Sequence, residues 1–170
     1  MFIESLEDAV FAFTDPEPAL FGVRFVVDAV GTDVASGVEI AMPTTGMFSL
    51  REGAASFRVR MDVQTDLFRE FWIDVATVFS APEDYMVKTD VFLHFANQVA
   101  LPQLRNYAQS LADPLLIGAG YPPRFFPSVA ELGTNVFRGE ELPSVLGPGV
   151  MGQLHENPNL VIPELLPPKH

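Results

Sequence analysis

The chain has 170 residues, 48% of them hydrophobic, which suits one folded domain burying roughly 70% of its unfolded surface and excludes a disordered chain. Its 22 acidic against 10 basic residues give a formal charge of −12, which argues against nucleic acid or an anionic membrane as partner, since both need Lys and Arg. There is no cysteine, so disulfides, thiolate catalysis and Cys-ligated metals are excluded, and a reducing cytoplasm is the compartment that fits.

Met1–Ala19 carries five acidic residues and no basic n-region, so it does not read as a signal peptide. Residues 1–20 are expected to form an N-terminal arm. Three segments then alternate apolar and polar residues with period two. They run through Val23, Phe25, Val27 and Ala29, then Phe57, Val59, Met61 and Val63, then Phe71, Ile73, Val75, Thr77 and Phe79. Each puts a largely apolar face on one side, the signature of an antiparallel sheet covered on one side. Val34–Ala41 and Met47–Leu50 add a short fourth strand, Asp66–Leu67 sits at a hairpin, and Met42–Gly46 and Arg51–Gly53 read as turns. Trp72 breaks the pattern, because it falls on the polar face between Glu70 and Asp74. It is either covered by one end of the chain or an exposed aromatic on a contact surface.

A helix follows, starting near Glu83 or Thr89. Eight of the eleven residues from Val91 to Leu101 are apolar, and the exceptions, His94, Asn97 and Gln98, form one narrow stripe. A helix lying on a sheet needs one apolar face. This one reads as sandwiched, with Val91, Phe92, Phe95 and Val99 against a second layer. That layer comes from another subunit or from the chain's own C-terminal segment. Pro102 bends or restarts the helix, because it lacks the N–H that would bond the Gln98 carbonyl. Asp113-Pro114 is expected to end the shorter helical segment beyond. Gly118–Val129 then carries Tyr121, Phe125 and Phe126 in a Pro-rich loop, and residues 130–170 read as a Pro/Gly-rich extension with a short candidate helix near Ser128–Leu132. The fold class is therefore α+β: an antiparallel sheet of about four strands, a long helix and a shorter one. No apolar run approaches the ~20 residues of a membrane span.

The search for catalytic chemistry finds no metal-ligating HExxH, no phosphate loop and no GxSxG. His94 reads as a hydrogen-bonded interior histidine, and Glu140–Glu141 as solvated surface. No enzyme, cofactor or metal centre is expected.

Strands followed by a long apolar helix with a proline near its middle, then a Pro-rich aromatic loop, resemble the SecB family of export chaperones. Leu101-Pro-Gln-Leu-Arg105 with Tyr107 and Ser110, and then Tyr121–Pro127, carry the resemblance, which spans residues 21–129. The chain departs from the family's pattern at Val78–Pro82, where the family has a glycine-containing strand end, and in its long C-terminal region. The resemblance implies a cytoplasmic homotetramer, with helices packed between two sheets. It also implies an ATP-independent holdase for unfolded polypeptides, whether preproteins or an antitoxin. A client surface is expected at Trp72, Tyr121, Phe125 and Phe126. One rival reading is a non-enzymatic oligomeric structural or adaptor protein, such as a phage-encoded one. Another is a small-molecule module with a pocket lined by Phe57, Phe71 and Phe95.

Overall fold

The computed structural model describes residues 1–26, 44–62, 69–120, 137–138 and 141–156. In chain order the elements are β1 (Phe2–Ile3), α1 (Leu6–Ala12), β2 (Thr14–Val26), β3 (Thr44–Arg51), β4 (Ala54–Asp62), β5 (Glu70–Ser80), β6 (Met86–Lys88), α2 (Thr89–Phe95), a π-helical turn (Ala96–Ala100), α3 (Leu101–Gly118), β7 (Phe137–Arg138), β8 (Val145–Leu146) and β9 (Met151–Glu156). The fold is α+β, as the alternating strands and the following long helix predict.

Six strands form the main sheet in the order β2-β5-β4-β3-β9-β7, with antiparallel neighbours throughout. Strict alternation builds its centre. Phe57, Val59 and Met61 of β4 and Phe71, Ile73, Val75 and Phe79 of β5 turn inward and are buried. The Arg51–Gly53 turn forms as expected, with Arg51 opposite Ala54 and Gly53 at a φ of 76° that L side chains rarely adopt. Thr44–Gly46, by contrast, is strand and not turn: these residues pair with Val59–Met61.

The helical run crosses the inner face of this sheet. Its π turn has a direct cause. Leu101 N–H donates to the Ala96 carbonyl, five residues back, just before Pro102, whose ring would crowd the Gln98 carbonyl in a regular α turn. The sequence expectation of a stop at Asp113-Pro114 is corrected, because α3 runs through Pro114 to Gly118. An interior proline costs about 3 kcal/mol. Full burial of Ala112 and Leu116 on either side offsets it. Ser110 Oγ donates to the Tyr107 carbonyl at 2.6 Å in the turn before the proline.

The N-terminal residues and the described part of the C-terminal region join the core. Ser5 caps α1 by accepting from Asp8 N–H at 3.1 Å, and Ile3, Ala9 and Phe13 are buried. Residues 1–20 are therefore no separate arm. The C-terminal region supplies β8, which pairs with β6, and β9, which pairs with β3. Its Ser144 and Pro143 carbonyls accept from Thr89 N–H and Oγ1 at the start of α2. The candidate helix at Ser128–Leu132, the strand at Val34–Ala41 and the Asp66–Leu67 hairpin lie outside the described residues.

Candidate functional site

The helix expected to face another subunit is covered by its own chain. Phe95 packs edge-on against Phe13, 5.1 Å away, and against Phe79, also at 5.1 Å, while Phe92 stacks on Phe57 at 5.3 Å. Rings of β3, β4 and β5 pack against α2, and α1 lies against it as well. Val91, Phe92 and Phe95 are buried within a single chain, and Val99 is half-buried, so the motive for reading them as oligomer contacts is gone. The rings of Phe57, Phe71 and Phe95 likewise fill the space between sheet and helix, where a ligand pocket had been a candidate. The polar stripe splits. His94 and Gln98 are exposed and touch through their Nε2 atoms, whereas Asn97 turns inward and donates to the Leu93 carbonyl at 3.0 Å. His94 is therefore a surface residue, not an interior one. Arg105 is 2% exposed, with Nη2 donating to Thr44 Oγ1 at 3.3 Å.

Among the described residues, the least covered strand is β2, none of whose residues is buried. It is thirteen residues long, and among the described residues only β5 borders it. Pro16 and Pro18 fit an edge, because they offer no N–H to a ladder. Asp15 has a φ of 50°, and the register shifts between Thr14 and Glu17. The first half of the strand is thus guarded against further pairing. Ala19–Val26 has no proline, and its one irregularity is a bulge between Leu20 and Gly22, beyond which Gly22–Val26 pair with β5 in unbroken register. Leu20 and Val23 point to the inner face opposite Val75 and Ile73, yet remain 44% and 38% exposed, because α3 covers β2 only in part. A bulge between Leu20 and Gly22 leaves Phe21 without a partner residue on β5; it is 58% exposed, and the Arg58 guanidinium lies 4.2 Å from its ring centroid on the outer face.

Trp72 stands beside this strand on the outer face. Gly22 makes room for it: a Cβ there would meet the indole at 2.9 Å. The Arg60 guanidinium lies 4.3 Å from the ring centroid, and Nε1–H donates to Glu70 Oε1 at 3.0 Å. Glu70 also pairs with Arg24 at 2.7 Å. Trp72 is therefore a half-buried, pinned surface ring, next to Gly22 of β2. Its expected companions Tyr121, Phe125 and Phe126 lie outside the described residues. The period-two pattern begins only at Val23, so neither Leu20, at the end of the expected arm, nor Phe21, just after it, is marked as strand by the sequence. The Pro16-x-Pro18 spacing directly before an apolar pair was the available signal for an edge strand.

Among the described residues there is no group of three or more His, Asp or Glu arranged to hold a metal ion. No described helix is long and apolar enough to cross a membrane. No family model matches the chain, and no curated protein matches it.

Proposed function

We propose that this chain is an ATP-independent holdase that binds unfolded polypeptides, and that the Ala19–Val26 stretch of β2 is its capture edge. The observation that carries this reading is a long edge strand exposing Leu20, Phe21 and Val23, with no neighbour beyond it among the described residues. An unfolded segment added alongside it gains main-chain hydrogen bonds from the strand and apolar contact from those side chains, whatever its own sequence. The charge of −12 keeps such a surface soluble and favours basic stretches in the client. The resemblance to SecB-like chaperones points the same way, and the proposal includes the cytoplasm as site of action and preproteins or an antitoxin as client.

The same edge supports self-association. Two copies pairing β2 to β2 about a twofold axis extend the sheet, and the tetramer expected from the resemblance joins two such pairs. If the edge is permanently closed in this way, the structural or adaptor reading replaces the chaperone. Native mass spectrometry with and without a permanently unfolded, carboxymethylated model protein separates them. A holdase gives complexes at micromolar client that Phe21→Ser with Val23→Lys removes. An oligomer of fixed size that ignores the client at any concentration defeats the holdase reading.

A further inference from the structure

The outer face of the sheet carries a second feature, apart from the β2 edge. Two adjoining hollows of about 360 and 350 Å³ share Met47 and Arg58 and form one trough along β3 and β4. At one end Met151 of β9 stands opposite Ser49, and Arg51 closes the trough. At the other end lie Thr45, Arg60 and Asp62. From Thr45 to Arg51 the strand advances about 20 Å, the length of an extended segment of about six residues.

The charges in this trough are not balanced. Asp74 is held by Arg58, whose Nε and Nη2 donate to its two oxygens at 2.9 and 2.8 Å, leaving Nη1 for another acceptor. Asp62 faces Arg60 at 3.4 Å. Arg51 is exposed and forms no ion pair among the described residues. In a chain with 22 acidic residues, an arginine left unmatched beside two exposed methionines is chemically specific. Arginine recognises carboxylates through a planar pair of N–H groups. Methionine adapts its flexible thioether to many apolar shapes.

We propose that this trough binds an extended acidic peptide segment of a partner protein. One of the segment's carboxylates meets Arg51 and the free edge of Arg58, and its apolar side chains rest between Met47 and Met151. The inference does not rest on the holdase reading, which concerns clients without sequence preference; the two surfaces adjoin at Arg58, which lies over Phe21, whereas Arg51 and Met151 belong to the trough alone.

The test uses the full chain and three fluorescent hexapeptides: alternating Glu and Leu, the same with Lys for Glu, and the same with Ser for Leu. Fluorescence anisotropy should give saturable binding of the Glu–Leu peptide, weakened by 0.5 M salt. The Lys and Ser peptides should bind at least about tenfold more weakly. Arg51→Glu should lower the affinity about tenfold or more and Met151→Ser severalfold, while both variants keep the wild-type thermal transition and still bind the carboxymethylated client. Arg51→Gln should fall between. Equal binding of the Glu and Lys peptides, no binding of the Glu–Leu peptide at millimolar concentration, or full affinity in Arg51→Glu would each overturn the proposal.

Discussion

Helix α2 and strand β2 are both rich in apolar residues, and they end in opposite surroundings. Phe92 and Phe95 of α2 are completely buried, and sheet rings, Phe13 and α1 pack against the helix. Leu20 and Val23 of β2 also point inward, yet stay substantially exposed, because α3 covers β2 only in part. An apolar face therefore shows that a residue needs a partner, without saying whether the chain itself supplies one. In α2 the partner is a short N-terminal helix, Leu6–Ala12, far away in sequence from Thr89–Phe95. For β2 the partner is absent among the described residues, and it is there that assembly or capture has somewhere to act.

The sharpest way to break this contrast is Phe95→Asp. If α2 faces the chain's own interior, the substitution removes a ring packed against Phe13, Phe57 and Phe79 and buries a carboxylate without a partner. Large-to-small changes of Phe alone cost about 3–5 kcal/mol, and the charge adds to that. Against a total stability of roughly 5–15 kcal/mol, the variant should be unfolded or nearly so in urea titration. A variant that stays folded and merely dissociates would return α2 to a subunit interface.

A second expectation follows from Tyr85, which is completely buried and donates to the Ala54 carbonyl at 3.2 Å. Burial pushes its hydroxyl from 10.0 up to about 12, with a backbone hydrogen bond from Arg51 acting the other way. The unfolded chain loses this proton first, so the associated stability is intact below about pH 10 and disappears as pH rises towards about 12. At 1.36 kcal/mol per pKa unit the loss reaches about 2–3 kcal/mol. Tyr85→Phe should cost about 1 kcal/mol at pH 7 through the lost hydrogen bond, and should flatten the alkaline slope. Urea midpoints of both proteins between pH 9 and 11.5 check this; equal slopes would mean that Tyr85 titrates in contact with water.

Much of the interior was legible in the sequence, and much of the edge was not. Period-two alternation located β4 and β5, because one covered face imposes that rhythm on every residue. The disturbance at Pro102 was legible for a local reason, a missing N–H and a crowded carbonyl, whereas the sequence left the helix start open between Glu83 and Thr89, and Thr89 is where it begins. Pro114 misled, because its local cost is outweighed by Ala112 and Leu116, whose burial depends on distant chain. The capture edge was hidden more thoroughly. Burial of Ile3 and Phe13, pairing of Met151–Leu154 with β3, and exposure of Leu20 are all decided by neighbours far away in sequence. Trp72 stood out by breaking the alternation, but nothing local pointed to Gly22 and Arg60 as its surroundings.

Gly22→Val sharpens the comparison at the edge itself. The new side chain meets the Trp72 ring, so the indole must leave its place between Gly22 and Arg60. Overpacking of this kind costs about 1–3 kcal/mol in a closed core. At an open edge the ring can swing into water, so the lower end is expected, about 1 kcal/mol. Trp72 is the only tryptophan in the chain, so its emission should shift to the red as it becomes wetter. An unshifted spectrum with a larger loss of stability would mean that the edge is as tightly enclosed as the interior.

The smallest effect on stability should come from Leu20→Ser combined with Val23→Ser. Both side chains point towards the inner layer, so a reader of the pattern alone would expect core damage of several kcal/mol. Their exposure of 44% and 38% argues otherwise, because much of their surface is already in water. Surface substitutions usually stay within about 0.5 kcal/mol, and partial contact with Val75 and Ile73 raises this to about 1 kcal/mol for the pair. Binding should respond much more strongly. A segment added beside β2 covers both side chains, and full burial of each aliphatic group is worth about 1.5–3 kcal/mol. Since half or less of each remains to be covered, the double variant should bind the unfolded client about tenfold more weakly, with a thermal transition lower by only a few degrees. Thermal melts and client titrations on the same preparation compare the two losses directly. A large fall in stability with unchanged client affinity per folded molecule would move Leu20 and Val23 into the core and leave α2 and β2 alike.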